Sequence, residues 1–409
     1  MTSAETRSAA EPAALPPVDP SHVCPNCAGR GMIPFYEKRG VPAHSCLLMD
    51  SPDAARNYPR GDLLLGFCPS CAFISNLAFD VRLNEYSQRY EETQHFSPRF
   101  NRFAEGLARL MVERYDLAHR DILEIGCGKG EFLELICKLG AKGGIGIDPG
   151  FHENRLQSEA ASRITFIRDL YSEEYSHLSA DFVLCRHTLE HIHETKKFME
   201  MIRRSLGDRT DSTIFFELPD VYRVLRECAF WDMYYEHCTY FSLSSLARLC
   251  RLTGFEVTEL WADYDDQYLL IAAHPASGPT QARLPEEDDL DRMKDALAHF
   301  VREYPQKLAS WRRELENEAA SGRKVVVWGS GSKGVSYLTT LGIVDEVEFV
   351  VDINPYKHGK YMPGTGQRIV SPEFLREYRP DHVVVMNPIY VEEIGAKLRE
   401  LGVEATISA

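Results

Sequence analysis

One run of residues limits the fold of this chain more than any other. The apolar segment from Ile122 to Ile125 enters Gly126-Cys127-Gly128-Lys129-Gly130, and helical periodicity starts near Glu131. Three glycines in five positions let a chain turn tightly at the end of a strand and bring its backbone close to a ligand. The pattern predicts a strand, a glycine turn and a helix, the opening unit of an α/β sheet. Asp148 ends the next strand candidate, about 20 residues on, where a carboxylate can accept hydrogen bonds from ribose hydroxyls. Asp169 follows the third candidate.

Around this unit, short apolar runs alternate with helical stretches, which predicts a largely parallel sheet covered by helices. Strands are expected at 121–125, 144–148, 164–167, 182–185, 213–217, 255–260 and 268–273. Residues 285–320 read as a long charged helix with Leu290, Met293, Leu297, Phe300 and Val301 on one side. Beyond it, strand candidates at 324–328 and 347–352 flank the second glycine turn Gly329-Ser330-Gly331-Ser332-Lys333-Gly334, echoing the unit at 121–148. The resulting division is a disordered N-terminus at 1–20, a zinc-binding domain at 21–80, a cofactor-binding domain at 81–275, a linker helix at 276–320 and a C-terminal Rossmann-like domain at 321–409. A length of 409 residues suits several domains.

A net charge of −15 argues against nucleic acid as a partner, because phosphate binding needs a basic face. A small-molecule substrate is therefore expected. No apolar run approaches the roughly 20 residues of a membrane span, and residues 1–20 lack a basic start followed by an apolar run. These features predict a cytoplasmic protein without a membrane partner; they leave the oligomeric state open.

Eleven cysteines in a chain this long do not make a disulfide scaffold. Four of them are grouped, as Cys24-Pro25-Asn26-Cys27 and Cys68-Pro69-Ser70-Cys71. Two such pairs can present four thiolates to one tetrahedral Zn²⁺. A redox Cys-x-x-Cys occurs singly at a helix start, and His22, His44 and Cys46 lack paired spacing. Four protein ligands leave no open position, so one zinc per chain is assigned to folding rather than to chemistry.

The segment Phe230-Trp231-Asp232-Met233-Tyr234-Tyr235-Glu236-His237-Cys238-Thr239-Tyr240-Phe241-Ser242 falls after the fifth strand, at the sheet edge where ligands of α/β folds bind. A Tyr, a Glu and a His within four residues can position a substrate and move a proton.

The glycine turn alone would also suit a dinucleotide fold, but the acid two residues before its first glycine resembles motif I of class I S-adenosylmethionine (SAM) methyltransferases. By that resemblance Glu124, Gly126, Gly128 and Gly130 surround the methionine end of SAM, Asp148 holds the ribose, and Asp169 lies near the adenine amino group. The 230–242 segment resembles the Tyr-His-Glu-His-x-x-Tyr-Phe-Ser signature of the deoxysugar C-methyltransferases, which act on nucleotide-linked 4-keto sugars. Also similar are the cysteine pairs, Tyr86 and Tyr90, His191 in Thr188-Leu189-Glu190-His191-Ile192, the run Val351-Asp352-Ile353-Asn354-Pro355, and Pro363-Gly364-Thr365. The likeness spans about 22–409.

The resemblance implies a class I methyltransferase sheet of Rossmann-like α/β type, flanked by the zinc domain and a C-terminal Rossmann-like half-domain that closes over the substrate. It implies SAM as cofactor and His237 as the base that removes a proton beside the sugar ketone. Glu236 would orient His237 or the sugar, while His191 and Tyr234 stabilise the enolate oxygen or position the ring. Tyr90, Tyr234 and Lys333 are the expected substrate contacts, in natural-product (antibiotic) or surface-glycan sugar biosynthesis. Tyr235 departs from the signature histidine, and Glu91-Glu92 stands where a further aromatic is usual. Two alternatives remain: a non-sugar substrate, or a second, NAD(P)-dependent ketoreductase activity at the turn 329–334, which has Asp352 eighteen residues beyond Gly334.

Overall fold

The strands of the central sheet are short runs of aliphatic and aromatic residues. Those at Ile122–Ile125 and Phe182–Arg186 are buried throughout, as expected where helices cover both faces. The computed structural model describes residues 19–409 apart from 85, 157, 179 and 279–281. Most of the expected N-terminal lead-in lies outside the described residues, and its last two residues already belong to the strand Asp19–Val23.

All seven expected strands form one sheet, in the spatial order Phe255–Asp263, Tyr268–Pro275, Thr213–Pro219, Phe182–Arg186, Ile122–Ile125, Gly144–Ile147, Ile164–Ile167. Numbered within the sheet, this is 6-7-5-4-1-2-3, and only the seventh strand runs antiparallel to its neighbours. The order reverses beside Ile122–Ile125, so a crevice opens at the C-terminal ends of the strands next to the glycine turn.

A second sheet of five parallel strands is ordered Arg368–Val370, Phe349–Val351, Val325–Trp328, His382–Val385, Thr406–Ser408. Its helix Ser332–Leu341 starts directly after the second glycine turn, as expected.

The N-terminal segment shares a sheet with a later part of the chain. Its antiparallel strands Asp19–Val23, Arg30–Pro42, Arg60–Phe67 and Ile74–Asn76 are joined at the edge by Thr239–Tyr240, from the segment carrying His237. The long helix runs Leu290–Ala320, preceded by a single turn at Pro285–Glu287. It is more than a linker. Phe300 stacks on Tyr304, and Phe35 and Tyr36 of the N-terminal sheet meet Phe300 edge-on. The same buried cluster takes in Phe230, Trp231 and Tyr337, so one apolar core joins the N-terminal sheet, the 230–242 segment, the helix and the C-terminal sheet. Among the described residues, no helix is long and apolar enough to cross a membrane.

Candidate active site

The first glycine turn is left-handed at each glycine, with φ of +72° at Gly126, +55° at Gly128 and +82° at Gly130. A Cβ on Gly126 would stand 1.9 Å from Thr188 Oγ1, so this turn accepts no side chain without displacing the wall opposite. Alanine at 126 is expected to cost about 1–3 kcal/mol from backbone strain alone and to weaken SAM binding, which melting and SAM titration would measure. Asp148 sits beside the turn, accepting Gly128 N–H at 2.9 Å and Gly150 N–H at 2.6 Å. Glu124 is 2% exposed and its Oε2 has no hydrogen-bond partner among the described residues. Burial pushes its carboxyl up to about 8. A buried acceptor without a partner at a bare glycine turn fits a site kept for a polar ligand. Asp169 is exposed and bound to the Tyr175 hydroxyl at 2.6 Å, which holds it below the usual carboxylate range.

One cavity of about 490 Å³ joins this turn to the 230–242 segment and the second glycine turn. Of the sequence-derived cofactor, substrate and catalytic residues, all but Gly130 and Glu236 line it. Gly130 instead lies against Phe166. His237 Nε2 lies 3.0 Å from the Tyr234 hydroxyl, and the Tyr240 hydroxyl accepts from Tyr234 N–H at 3.2 Å, fixing that backbone. His191, on the turn Leu189–His191 rather than at an α-helix start, places its ring 4.8 Å from that of His237. Its Nδ1 faces the Glu236 carbonyl at 3.0 Å and the Tyr86 hydroxyl at 2.9 Å. A carbonyl only accepts, so Nδ1 carries the hydrogen and Nε2 is the basic nitrogen of the neutral ring. Burial, reinforced by His191, His187 and Lys333, holds His237 well below the ordinary histidine range, which keeps it neutral.

Glu236 does not orient His237. Its carboxylate turns away from the cavity and accepts from His44 Nδ1 at 2.9 Å, from Ser45 N–H at 3.2 Å and from the hydroxyls of Ser45 and Ser332. It is 1% exposed. Although burial opposes its ionisation, the His44 and Ser45 contacts keep it below the usual carboxylate range. Glu236 thus ties the N-terminal sheet to the helix Ser332–Leu341. The departure at Tyr235 has a similar cause: its hydroxyl accepts Asp80 N–H at 2.7 Å, and its ring covers Gly61, so it packs into the N-terminal sheet. Glu91 clasps Arg155 and Asn354, whereas Glu92 lines the cavity opposite Gly128. Lys333 reaches the cavity paired with Asp232, which Arg223 also holds.

Sequence reasoning assigned no role to Glu190, His187 or Tyr86, which line the same cavity. The first stands in the quoted Thr-Leu-Glu-His run, and the last was matched without a function.

The two cysteine pairs form near-identical turns. Ala28 N–H returns to the Cys24 carbonyl and Ala72 N–H to the Cys68 carbonyl, with both alanines at φ +59°. Cys24 Sγ is 3.7 Å from Cys71 Sγ, and Cys27 Sγ is 3.7 Å from Cys68 Sγ. A tetrahedral ion with Zn–S near 2.3 Å sets its sulfurs about 3.8 Å apart, so the four thiols fit zinc. Two of the rival ligands point elsewhere: His44 meets Glu236, and Cys46 contacts Ser332.

Residues 94–260 match a family model described as a methyltransferase domain, and residues 272–406 one described as a C-methyltransferase C-terminal domain. The chain is 27% identical over 302 residues to the C-methyltransferase NovU of Streptomyces niveus, covering 70% of this chain and 71% of that protein. Similar solved structures include the magnesium protoporphyrin IX methyltransferase ChlM of Synechocystis PCC 6803 with bound SAH, at 15% identity and a TM-score of 0.35, covering 44% of this chain and 84% of that one. Another is the PH0226 protein of Pyrococcus horikoshii OT3, at 18% identity and a TM-score of 0.35, covering 45% and 94%. The strand order, the glycine turn and the first family model define a class I SAM-dependent methyltransferase. With the C-terminal model and the shared sequence, the chain is more particularly a SAM-dependent C-methyltransferase.

Proposed function

We propose that the enzyme methylates a carbon beside the ketone of a nucleotide-linked 4-keto deoxysugar, with His237 as general base. The observation that carries this reading is the placement of a neutral, buried His237, held by Tyr234 and beside His191, in the same cavity as the Glu124–Gly128 turn. Bound SAM supplies an electrophilic methyl group. A carbon nucleophile must first be made, and the proton beside a ketone is acidic enough for an imidazole to remove. His237 Nε2 accepts that proton, and the electron pair of the broken C–H bond passes to the ketone oxygen as an enolate. Once Nε2 holds the proton, the Tyr234 hydroxyl is free to donate to that oxygen, and His191 stands where it can hold the ring. The enolate carbon then forms its bond to the methyl group as the carbon–sulfur bond breaks, so the main demand on the protein is alignment.

Glu124, Gly126, Gly128, Gly130, Asp148 and Asp169 make up the cofactor side in this reading. Tyr90 and Lys333 face the substrate, with Lys333 at the start of a helix whose N-terminal amides suit a phosphate. The four cysteines hold one structural zinc. The sequence likeness to sugar C-methyltransferases supports the substrate class. Incubation with SAM and a panel of nucleotide-linked 4-keto sugars is expected to add one methyl group to at least one of them by mass. Methylation of a non-sugar metabolite alone would sink the sugar assignment.

A further inference from the structure

Glu190 is 2% exposed, lines the active cavity, and has no hydrogen-bond partner for either carboxylate oxygen among the described residues. An ionised carboxylate buried without hydrogen bonds is costly, so it calls for a charged neighbour. Two imidazoles flank it: Oε1 is 3.7 Å from His187 Nδ1 and 4.0 Å from His237 Nε2. His187 is committed elsewhere. Its Nε2 meets Glu217 Oε1 at 3.0 Å, and its backbone is held at φ +48°. Burial works against charge on His187, yet the Glu217 and Glu190 carboxylates bring it up to about 9. The Glu190 carbonyl accepts from the Thr239 hydroxyl at 3.3 Å, which locks this turn to the segment carrying His237.

The groups around His237 are unequal. His191, His187 and Lys333 disfavour its charged form, and Tyr234 and Tyr240 are neutral. Glu190 is the single carboxylate within 4.0 Å among the described residues. A base in such surroundings is neutral and ready, but it needs a counter-charge once it holds a proton.

We propose that Glu190 is a positioning residue that stabilises the proton on His237 after it leaves the substrate carbon. This inference rests on the reading of His237 as base. It adds a Glu190–His237 pair to that reading, with the electron bookkeeping unchanged: the proton stays on Nε2, and Glu190 takes up no bond.

The test compares Glu190→Gln, Glu190→Asp and His237→Ala in the full chain, with SAM and a nucleoside-diphosphate 4-keto-6-deoxyhexose as probe. Readouts are kcat against pH, solvent deuterium exchange at the accepting carbon, and SAM affinity. In E190Q, SAM affinity should hold while kcat and exchange fall about tenfold. The acid limb of the profile should move about one unit to lower pH, because a carboxylate that favours the imidazolium is gone. E190D keeps the charge one methylene further away and should shift the limb the same way by less; it decides the matter if E190Q does not fold. An unmoved limb in the folded variant overturns the inference, provided H237A has lost exchange. If H237A retains exchange, the base assignment itself fails. Turnover lost to a chelator and restored by a divalent ion, with the cysteine-bound zinc retained, would also overturn it. It would make Glu190, His191 and His237, whose ligand atoms lie within 4.8 Å of one another, a metal site instead.

Discussion

Alanine in place of His237 is expected to lower methyl transfer by about 10²–10⁴-fold while SAM still binds. The size follows from what is lost. The ring supplies the one basic nitrogen hydrogen-bonded to Tyr234, and it is 7% exposed, so water is poorly placed to replace it. SAM affinity should survive because, among the described residues, the glycine turn, Asp148 and Glu124 make no hydrogen bond to this ring. As the proposed base, His237 would act in its neutral form, and burial holds its pKa well below 6.5. Activity limited by this group is therefore full at pH 6.5 and above, and declines only as pH falls further on the acid side. Deuterium wash-in at the accepting carbon separates proton removal from methyl transfer. Unchanged wash-in in the variant would remove His237 as base.

The fold was legible because its sheet strands differ in periodicity from its helices. Ile164–Ile167 was placed to the residue, and the other six strands to within a few. The site was legible in part. Within 233–238 the chain is irregular, so neighbouring side chains diverge: Tyr234 and His237 face the cavity, while Tyr235 and Glu236 point into the N-terminal sheet and its seam with the C-terminal unit. Adjacency in sequence cannot reveal that split, so the sequence offers His237 or the sugar as the partner of Glu236, whereas its carboxylate meets His44 and Ser45. Thr239–Tyr240 is too short to show any period, so its membership of the N-terminal sheet was invisible. Glu190 carried a signal in its neighbour His191. Its meaning depends on a distance to His237 across 47 residues of chain, set by the fold alone.

Serine in place of Cys24 is expected to lower turnover by at least about 10²-fold, although none of the four paired cysteines lines the active cavity. Zinc binding to such thiol sets contributes on the order of 10 kcal/mol of apparent folding free energy, more than a small sheet can replace from its own core. The sheet it supports is not autonomous. Ile74 and Ser75 pair with Tyr240 and Thr239, Asn76 N–H donates to the Cys238 carbonyl at 2.9 Å, and Asn26 Nδ2 donates to the Ser245 carbonyl at 2.9 Å. These contacts bracket His237 on its C-terminal side, and His44 and Ser45 grip its neighbour Glu236. Loss of the metal should therefore release the segment that aims His237. One face of the seven-stranded sheet shares its core with Cys24, Cys68, Cys71 and Phe73, whereas the face carrying Phe132, Phe182 and Phe215 keeps a core without them. The expected pattern is one zinc per wild-type chain, a metal-poor C24S chain with kcat reduced by at least 10²-fold, and SAM affinity reduced far less. Metal analysis, turnover and SAM titration on the same samples measure all three. A zinc-free chain that melts and turns over like wild type would remove the metal from the fold and detach the cysteines from the placement of the base.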